Sequence, residues 1–273
     1  MKFTEEKLWY LIELYDMRSK ELNITALAQR LGIAKSTLSR VLSFFYAEGM
    51  TLEKGSTQLS EEGVHTAEKW KRDIRLLKNW LMESGGLNDA EAEQEAFGMA
   101  LKLSENGKQK MLAHISTHSL FDKLHHIREV SGDYLAMHLS DGEYPFAFTI
   151  YREKFSDGKR ISMANDAFLH PGILQVQEGK CWFCLTACTI ERVSFMGRMV
   201  LRGRASELSY FLQDTCKPAL RRKDTFCMLA NDIMFHFNGS ERILQASLKI
   251  KVQADVGILH MPESNAILTV LFK

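Results

Sequence analysis

From Leu8 to about His126 apolar residues recur at intervals of three and four, and from about Tyr134 onward they alternate in short runs. The first spacing belongs to helices with one buried face. The second, rich in β-branched and aromatic residues and broken by Gly, Asp and Asn, belongs to strands. The expected fold class is therefore α+β, helical first and β-rich second. In the first helix Leu8, Leu11, Ile12 and Tyr15 form the stripe expected to be buried.

Residues Asn23 to Leu42 have the layout of a helix-turn-helix. Small Ala28 permits close packing, Gly32 sits at the turn, and the second helix carries the stripe Leu38, Val41, Leu42 and Phe45. On a wheel centred on that stripe Ser36, Arg40 and Ser43 point the other way, with Thr37 and Ser39 on the flanks and Lys35 at the N-terminal end. Short hydroxyls with a cation suit a helix lying against base edges and phosphates, whereas the plainer reading is a solvated polar face. Two short strands, Met50–Lys54 and Thr57–Leu59, joined at Gly55-Ser56, would make a wing with Lys54 as its cation.

A long helix opens after Ser60, with Ala67, Trp70, Ile74, Leu77 and Leu81 on one face. Lys69, Lys71, Arg72, Arg75 and Lys78 lie elsewhere on it, as a solvated face or as phosphate contacts. Asn88 with Glu91 reads as a capping box before a helix with Ala92, Ala96, Met99 and Leu103 inward. A further helix after Ser104 turns Met111, Leu112 and Ile115 inward. Apolar faces wider than so small a domain can bury point to a dimer interface.

Over residues 4 to 115 the order of parts resembles the diphtheria-toxin-repressor (iron/manganese-dependent repressor) family. The carrying residues are Ile24–Ile33, Ala47–Met50, Leu59–Gly63, Arg75–Leu81 and Ala90–Ala96. The resemblance implies a homodimeric, repressor-like regulator that places one recognition helix per subunit in the major groove. It also implies a metal switch, whose ligands would fall near Glu6, Trp9, Ile74, Phe97, Ala100 and Leu101. Trp, Ile, Phe, Ala and Leu offer no lone pair to a divalent cation, so the switch is not expected to carry over.

The β-rich half contains an internal repeat. Met163–His170 and Leu229–His236 both read Ala-Asn-Asp-x-x-x-His, and Ile173-Leu174-Gln175 is answered by Ile243-Leu244-Gln245. This implies a duplication at a period of about 66 residues. Strands are expected at Phe146–Tyr151 and Ala266–Phe272. Asp166 with His170, and Asp232 with His236, could hold a metal or polar ligand, but Asn-Asp turns that cap nearby backbone are the favoured reading. His114 and His118 lie one helical turn apart and could share a metal, although exposed histidines are the commoner case. Cys181-x-x-Cys184-x-x-x-Cys188 invites an iron–sulfur or zinc reading, yet it lacks a characteristically spaced fourth ligand. Buried reduced thiols are the expectation.

The 273 residues carry 35 Lys plus Arg against 34 Asp plus Glu, a formal charge of +1, so any DNA contact must rest on a local basic surface. With 45% hydrophobic and 25% charged residues the chain is an ordinary globular one. It has no long apolar run and no signal-like N-terminus, so a cytoplasmic location without a membrane is expected. Five cysteines, an odd number, argue against a disulfide framework. No phosphate-binding Gly-rich loop, Gly-x-Ser-x-Gly elbow or His-Glu-x-x-His helix is found, and no enzyme activity or cofactor is expected. The expected domains are a winged helix-turn-helix over 1–72, a helical dimerisation region over 73–130, and a β-rich sensor or assembly domain over 131–273. The last would hold repeats at about 140–205 and 206–273. The expected function is a DNA-binding, repressor-like regulator, active as a homodimer on double-stranded DNA and responsive to a small-molecule effector. Its candidate contacts are Lys35, Ser36, Thr37, Ser39, Arg40, Ser43 and Lys54. The alternatives are a protein–protein adaptor on a winged-helix scaffold or, further off, a small-molecule-processing enzyme in the C-terminal half.

Overall fold

The computed structural model describes residues 3–19, 23–154, 160–193, 200–256, 259–260 and 263–273. Helices dominate the first part and antiparallel strands the second, as the change of period along the chain requires. The chain divides into two compact units, residues 1–115 and 116–273, and the division falls within a helix.

In the first unit α1 (Glu5–Asp16), α2 (Ile24–Arg30) and α3 (Lys35–Ala47) precede a long α4 (Glu61–Glu83), α5 (Asp89–Lys102) and the start of α6 (Glu105–Lys123). Caps set most of the helix starts. Thr4, Asn23 and Ser60 each accept a backbone N–H from the first turn, and Asn88 and Glu91 form the full capping box. Two apolar clusters result. One joins Tyr10, Leu11 and Leu14 of α1, with Met17 at its C-cap, to Leu27, Ala28, Leu38, Leu42, Phe45 and Met50. The other joins Leu8 to Ile74, Leu77, Leu81, Ala92, Ala96 and Leu112.

Because α1 serves both clusters, its buried set is Leu8, Tyr10, Leu11 and Leu14, while Ile12 and Tyr15 are only half-buried. The single-stripe expectation is corrected there. On α5, Phe97 and Ala100 are buried with Ala92 and Ala96. Met99 is only partly buried and Leu103 is exposed, so that stripe turns by one position. The wing is also slighter than expected. Its strands reduce to one bridge, Thr51 to Leu59, with Leu52 N–H donating to the Gln58 carbonyl at 3.1 Å.

The second unit opens with the end of α6, β1 (Glu129–Ser131) and a short α7 (Gly132–His138). This helix was not expected, since seven residues are too few to show a period. The Gly132 at its start is required by space: a Cβ would sit 1.9 Å from the Ala230 carbonyl oxygen. Next come β2 (Gly142–Arg152), β3 (Gly172–Gln177), β4 (Lys180–Thr186), β5 (Ile190–Val193), β6 (Val200–Leu212) and β7 (Thr215–Pro218). The chain ends with β8 (Leu220–Arg222), β9 (Thr225–Leu229), β10 (Met234–Asn238), β11 (Ile243–Val256), β12 (Leu259–His260) and β13 (Ser264–Phe272).

Every pairing is antiparallel, and the main path runs β1-β10-β11-β13-β2-β3-β4-β9-β8, with β6 against β11. The expected strands at Phe146–Tyr151 and Ala266–Phe272 are β2 and β13, and they pair with Ile150 opposite Leu268. Alternate residues Tyr144, Phe146, Phe148 and Ile150 of β2 are buried, as are Ala266, Leu268, Val270 and Phe272 of β13. That is the period-2 pattern of sheets with one face inward.

Candidate nucleic-acid interface

The helix-turn-helix is built from its turn outward. Gly32, at φ +66°, closes α2 in the left-handed region, and Ile33 N–H reaches back to the Ala28 carbonyl at 3.0 Å. A Cβ at Gly32 would meet nothing within 4 Å, so the backbone angle rather than space selects glycine. α3 then presses Leu38, Val41, Leu42 and Phe45 into the core, all four as expected. Its N-cap, Ala34, supplies no side-chain acceptor. The first-turn N–H groups therefore keep the positive end of the helix open to an anion.

On the outer side Lys35, Ser36, Ser39 and Arg40 are exposed, and Thr37 and Ser43 are half-buried. Ser43 Oγ donates back to the Ser39 carbonyl at 2.8 Å, so its proton is already used and only its lone pairs remain to accept. Lys35 and Arg40 have no ion pair among the described residues. Lys54 is exposed at the tip of the wing beside exposed Leu52.

The α4 cations behave differently. Lys71 pairs with Asp16, Lys69 with Glu105 at 3.6 Å, and Lys78 with Asp89 and Glu93 at 2.9 and 2.8 Å. Intramolecular carboxylates thus occupy at least three of the five cations that could have met phosphate. Beneath them lies a feature the sequence did not single out. Lys108 is 2% exposed, stacks its ammonium 3.9 Å from the centroid of the Trp70 ring, and sits 3.1 Å from Glu105 and 3.6 Å from Asp73. Asp73 Oδ2 has no hydrogen bond, and burial, opposed by the Lys108 charge, pushes the carboxyl up to about 6. The only signal in the sequence was Asp73 beside the apolar stripe of α4.

The positions of the implied metal switch do not fit a metal. Ile74, Phe97 and Ala100 are buried apolar side chains, Trp9 is a partly exposed aromatic, and Glu6 accepts a hydrogen bond from the Tyr10 hydroxyl at 3.0 Å. A cleft of about 640 Å³ opens between Glu5, Glu6, Trp9, Glu93 and Phe97. One of its carboxylates, Glu93, already holds Lys78. Among the described residues no group of three or more His, Cys, Asp or Glu is arranged to hold a metal ion.

In the second unit the repeated Asn-Asp motif does structural work. Asn165 Oδ1 accepts the Ile150 N–H at 3.0 Å, and Asn231 Oδ1 accepts the Cys181 N–H at 3.0 Å. Each copy thus caps the backbone of a strand. His170 stacks on Phe148 with centroids 3.9 Å apart and lies 3.3 Å from the Asn165 carbonyl, and His236 pairs with Glu129 at 3.1 Å. His118 contacts Asp122 at 2.9 Å, and His114 is exposed.

The cysteine expectation is corrected. Cys184 and Cys227 are bonded as a disulfide, because the β4–β9 register sets them directly opposite each other, 4.2 Å apart at Cα. Cys181 stays a thiol, donates to the Gly132 carbonyl, and is pushed up to about 12 by burial.

No family model matches the chain, and no curated protein matches it by sequence. Solved structures of similar shape include the metal-dependent transcriptional regulator MtsR (11% identity, 83% of this chain and 100% of that one, TM-score 0.36). The T. acidophilum IdeR structure covers 98% of both chains at 11% identity and a TM-score of 0.33. The NEAT5 domain of IsdX2, a B. anthracis hemophore in complex with heme, matches at 20% identity over 48% of this chain and 95% of that one, TM-score 0.29. Several of these neighbours are metal-dependent transcriptional regulators. At such identities and scores they carry no functional conclusion for this chain. The class that the fold and site define is a mixed helix-and-sheet chain with an N-terminal helix-turn-helix.

Proposed function

We propose that the protein is a DNA-binding, repressor-like transcriptional regulator of the cytoplasm, active as a homodimer and not an enzyme. The observation that carries this reading is α3. One face is fully buried, the other offers Lys35, Ser36, Thr37, Ser39 and Arg40 with both cations free of ion pairs among the described residues, and the helix start has no side-chain cap. Arg40 would read a base or phosphate, Lys35 and the open helix start would hold a phosphate, and Lys54 would touch the backbone from the wing.

Regulation would not run through the switch of the repressor family, since apolar side chains stand at its ligand positions. We assign sensing or assembly to the β-rich unit, with a small molecule as effector.

The test is selection from a random duplex pool, followed by affinities at several salt concentrations with a divalent metal or a chelator. A palindromic winner, bound equally in both and with affinity falling steeply with salt, is the expected result. Absence of enrichment at every salt would overturn the reading in favour of a protein–protein adaptor.

A further inference from the structure

The β7–β8 segment is a concentrated positive surface of the second unit. Among the described residues both strands are sheet edges: β7 pairs only with β6, and β8 only with β9. All seven of their residues are exposed. Between Thr215 and Lys223 the chain carries Lys217, Arg221, Arg222 and Lys223 and no acidic residue.

Among the described residues no carboxylate forms an ion pair with these four. Arg221 is held by backbone acceptors, the Ser206 carbonyl at 3.0 Å and the Lys223 carbonyl at 3.1 Å, and Arg222 reaches the neutral side chain of Gln175 at 3.3 Å. The following acid, Asp224, is taken by Arg204 at 2.9 Å, and Asp214 lies before β7 in the turn from β6. Lys223 also occupies the left-handed region at φ 57°, in the hairpin turn between β8 and β9. Gly or Asn would hold that turn at less cost.

We propose that this edge is a second DNA-docking surface, which binds the phosphate backbone of duplex DNA without reading its sequence. The proposal rests on the DNA-binding reading above and extends it to the unit for which that reading assigned only sensing or assembly. Over the roughly 20 Å that six extended residues span, a duplex presents about a dozen phosphate charges. A single strand would call for exposed aromatic rings on which bases stack, and residues 213–224 contain none. Anchored guanidinium groups and exposed ammonium groups along an extended edge suit phosphates that follow one another along a helix.

The experiment uses the full chain and a labelled 30-base-pair duplex of arbitrary sequence, with dissociation constants measured between 50 and 200 mM salt. The variant K217Q/R222Q/K223N removes three charges and leaves the anchored Arg221, and its thermal transition is measured beside the wild type as a folding control. If three phosphate contacts are lost, the log–log salt slope falls by about 2.7, so the variant's affinity changes roughly 40-fold less than the wild type's across that range. An unchanged slope in a folded variant overturns the proposal. So does a variant that keeps its DNA affinity but loses binding to poly-glutamate, which would assign the edge to acidic protein. The variant Arg40→Ala separates the two readings: if it binds selected DNA like wild type while the triple variant does not, the recognition-helix reading fails and the edge stands. A wild type without salt-dependent binding overturns both.

Discussion

Lys108 and Asp73 hold opposite charges inside a helical core, where desolvation costs more than a 3.6 Å contact returns. Because the carboxyl of Asp73 moves from 3.8 up to about 6 on folding, the native state binds its proton more tightly than the unfolded state does. Stability from this group is therefore full below about pH 4, falls as pH rises to about 6, and is flat above; the fall is on the order of 3 kcal/mol. Urea denaturation across pH 4–7 is expected to show that slope, and Asp73→Asn to remove it. Lys108→Met should cost about 3–5 kcal/mol at neutral pH, where it strands a buried carboxylate, and clearly less at pH 5. At the surface, Arg40→Ala should weaken binding to the selected operator by about 1–3 kcal/mol if the guanidinium reads a base, as a direct titration would show. Lys35 and Arg40 could be chosen from the sequence because a helical wheel needs only the period. The Asp73–Lys108–Trp70 group could not, because its members come from two helices whose packing sets the distances.

At the scale of elements, local chemistry fixed the starts and contacts across the fold fixed the faces. The capping box of α5 was readable from Asn88 and Glu91, and Asn88→Ala is expected to lower stability by about 1 kcal/mol in chemical denaturation. The inner stripe of α3 was readable for the same reason, since that helix meets one core. α1 meets two, so its buried set widened. α7 was missed because its start depends on Gly132 fitting against the Ala230 carbonyl, a neighbour almost 100 residues away. Gly132→Ala is expected near the upper end of the roughly 1–3 kcal/mol that overpacking costs, since backbone stands in the way. A lowered melting temperature without change in the α3 interface would be the sign.

Across the whole molecule, the cysteines show what a linear reading misses. Spacing grouped Cys181, Cys184 and Cys188, while the sheet paired Cys184 with Cys227, 43 residues further on. Closing a loop of that length stabilises the fold by about 4 kcal/mol in the chain-entropy account. Reductant is therefore expected to lower the unfolding midpoint of the wild type and to leave that of a Cys184→Ala/Cys227→Ala double variant unmoved.

The sequence by itself determined the change from helix to sheet, the helix-turn-helix with its inner and outer faces, and the lack of a metal donor at Trp9, Ile74, Phe97, Ala100 and Leu101. Each of these depends on period, on turn chemistry, or on whether a side chain has a lone pair at all. Tertiary structure alone decided that three of the α4 cations are spent on carboxylates, which strands the repeated asparagines cap, and that Cys184 meets Cys227. It also decided that the cations of residues 217–223, already neighbours in the chain, stand on exposed strands paired to β6 and β9. Those outcomes depend on distances between residues far apart in the chain, and such distances exist only once strands have taken their register and helices their packing.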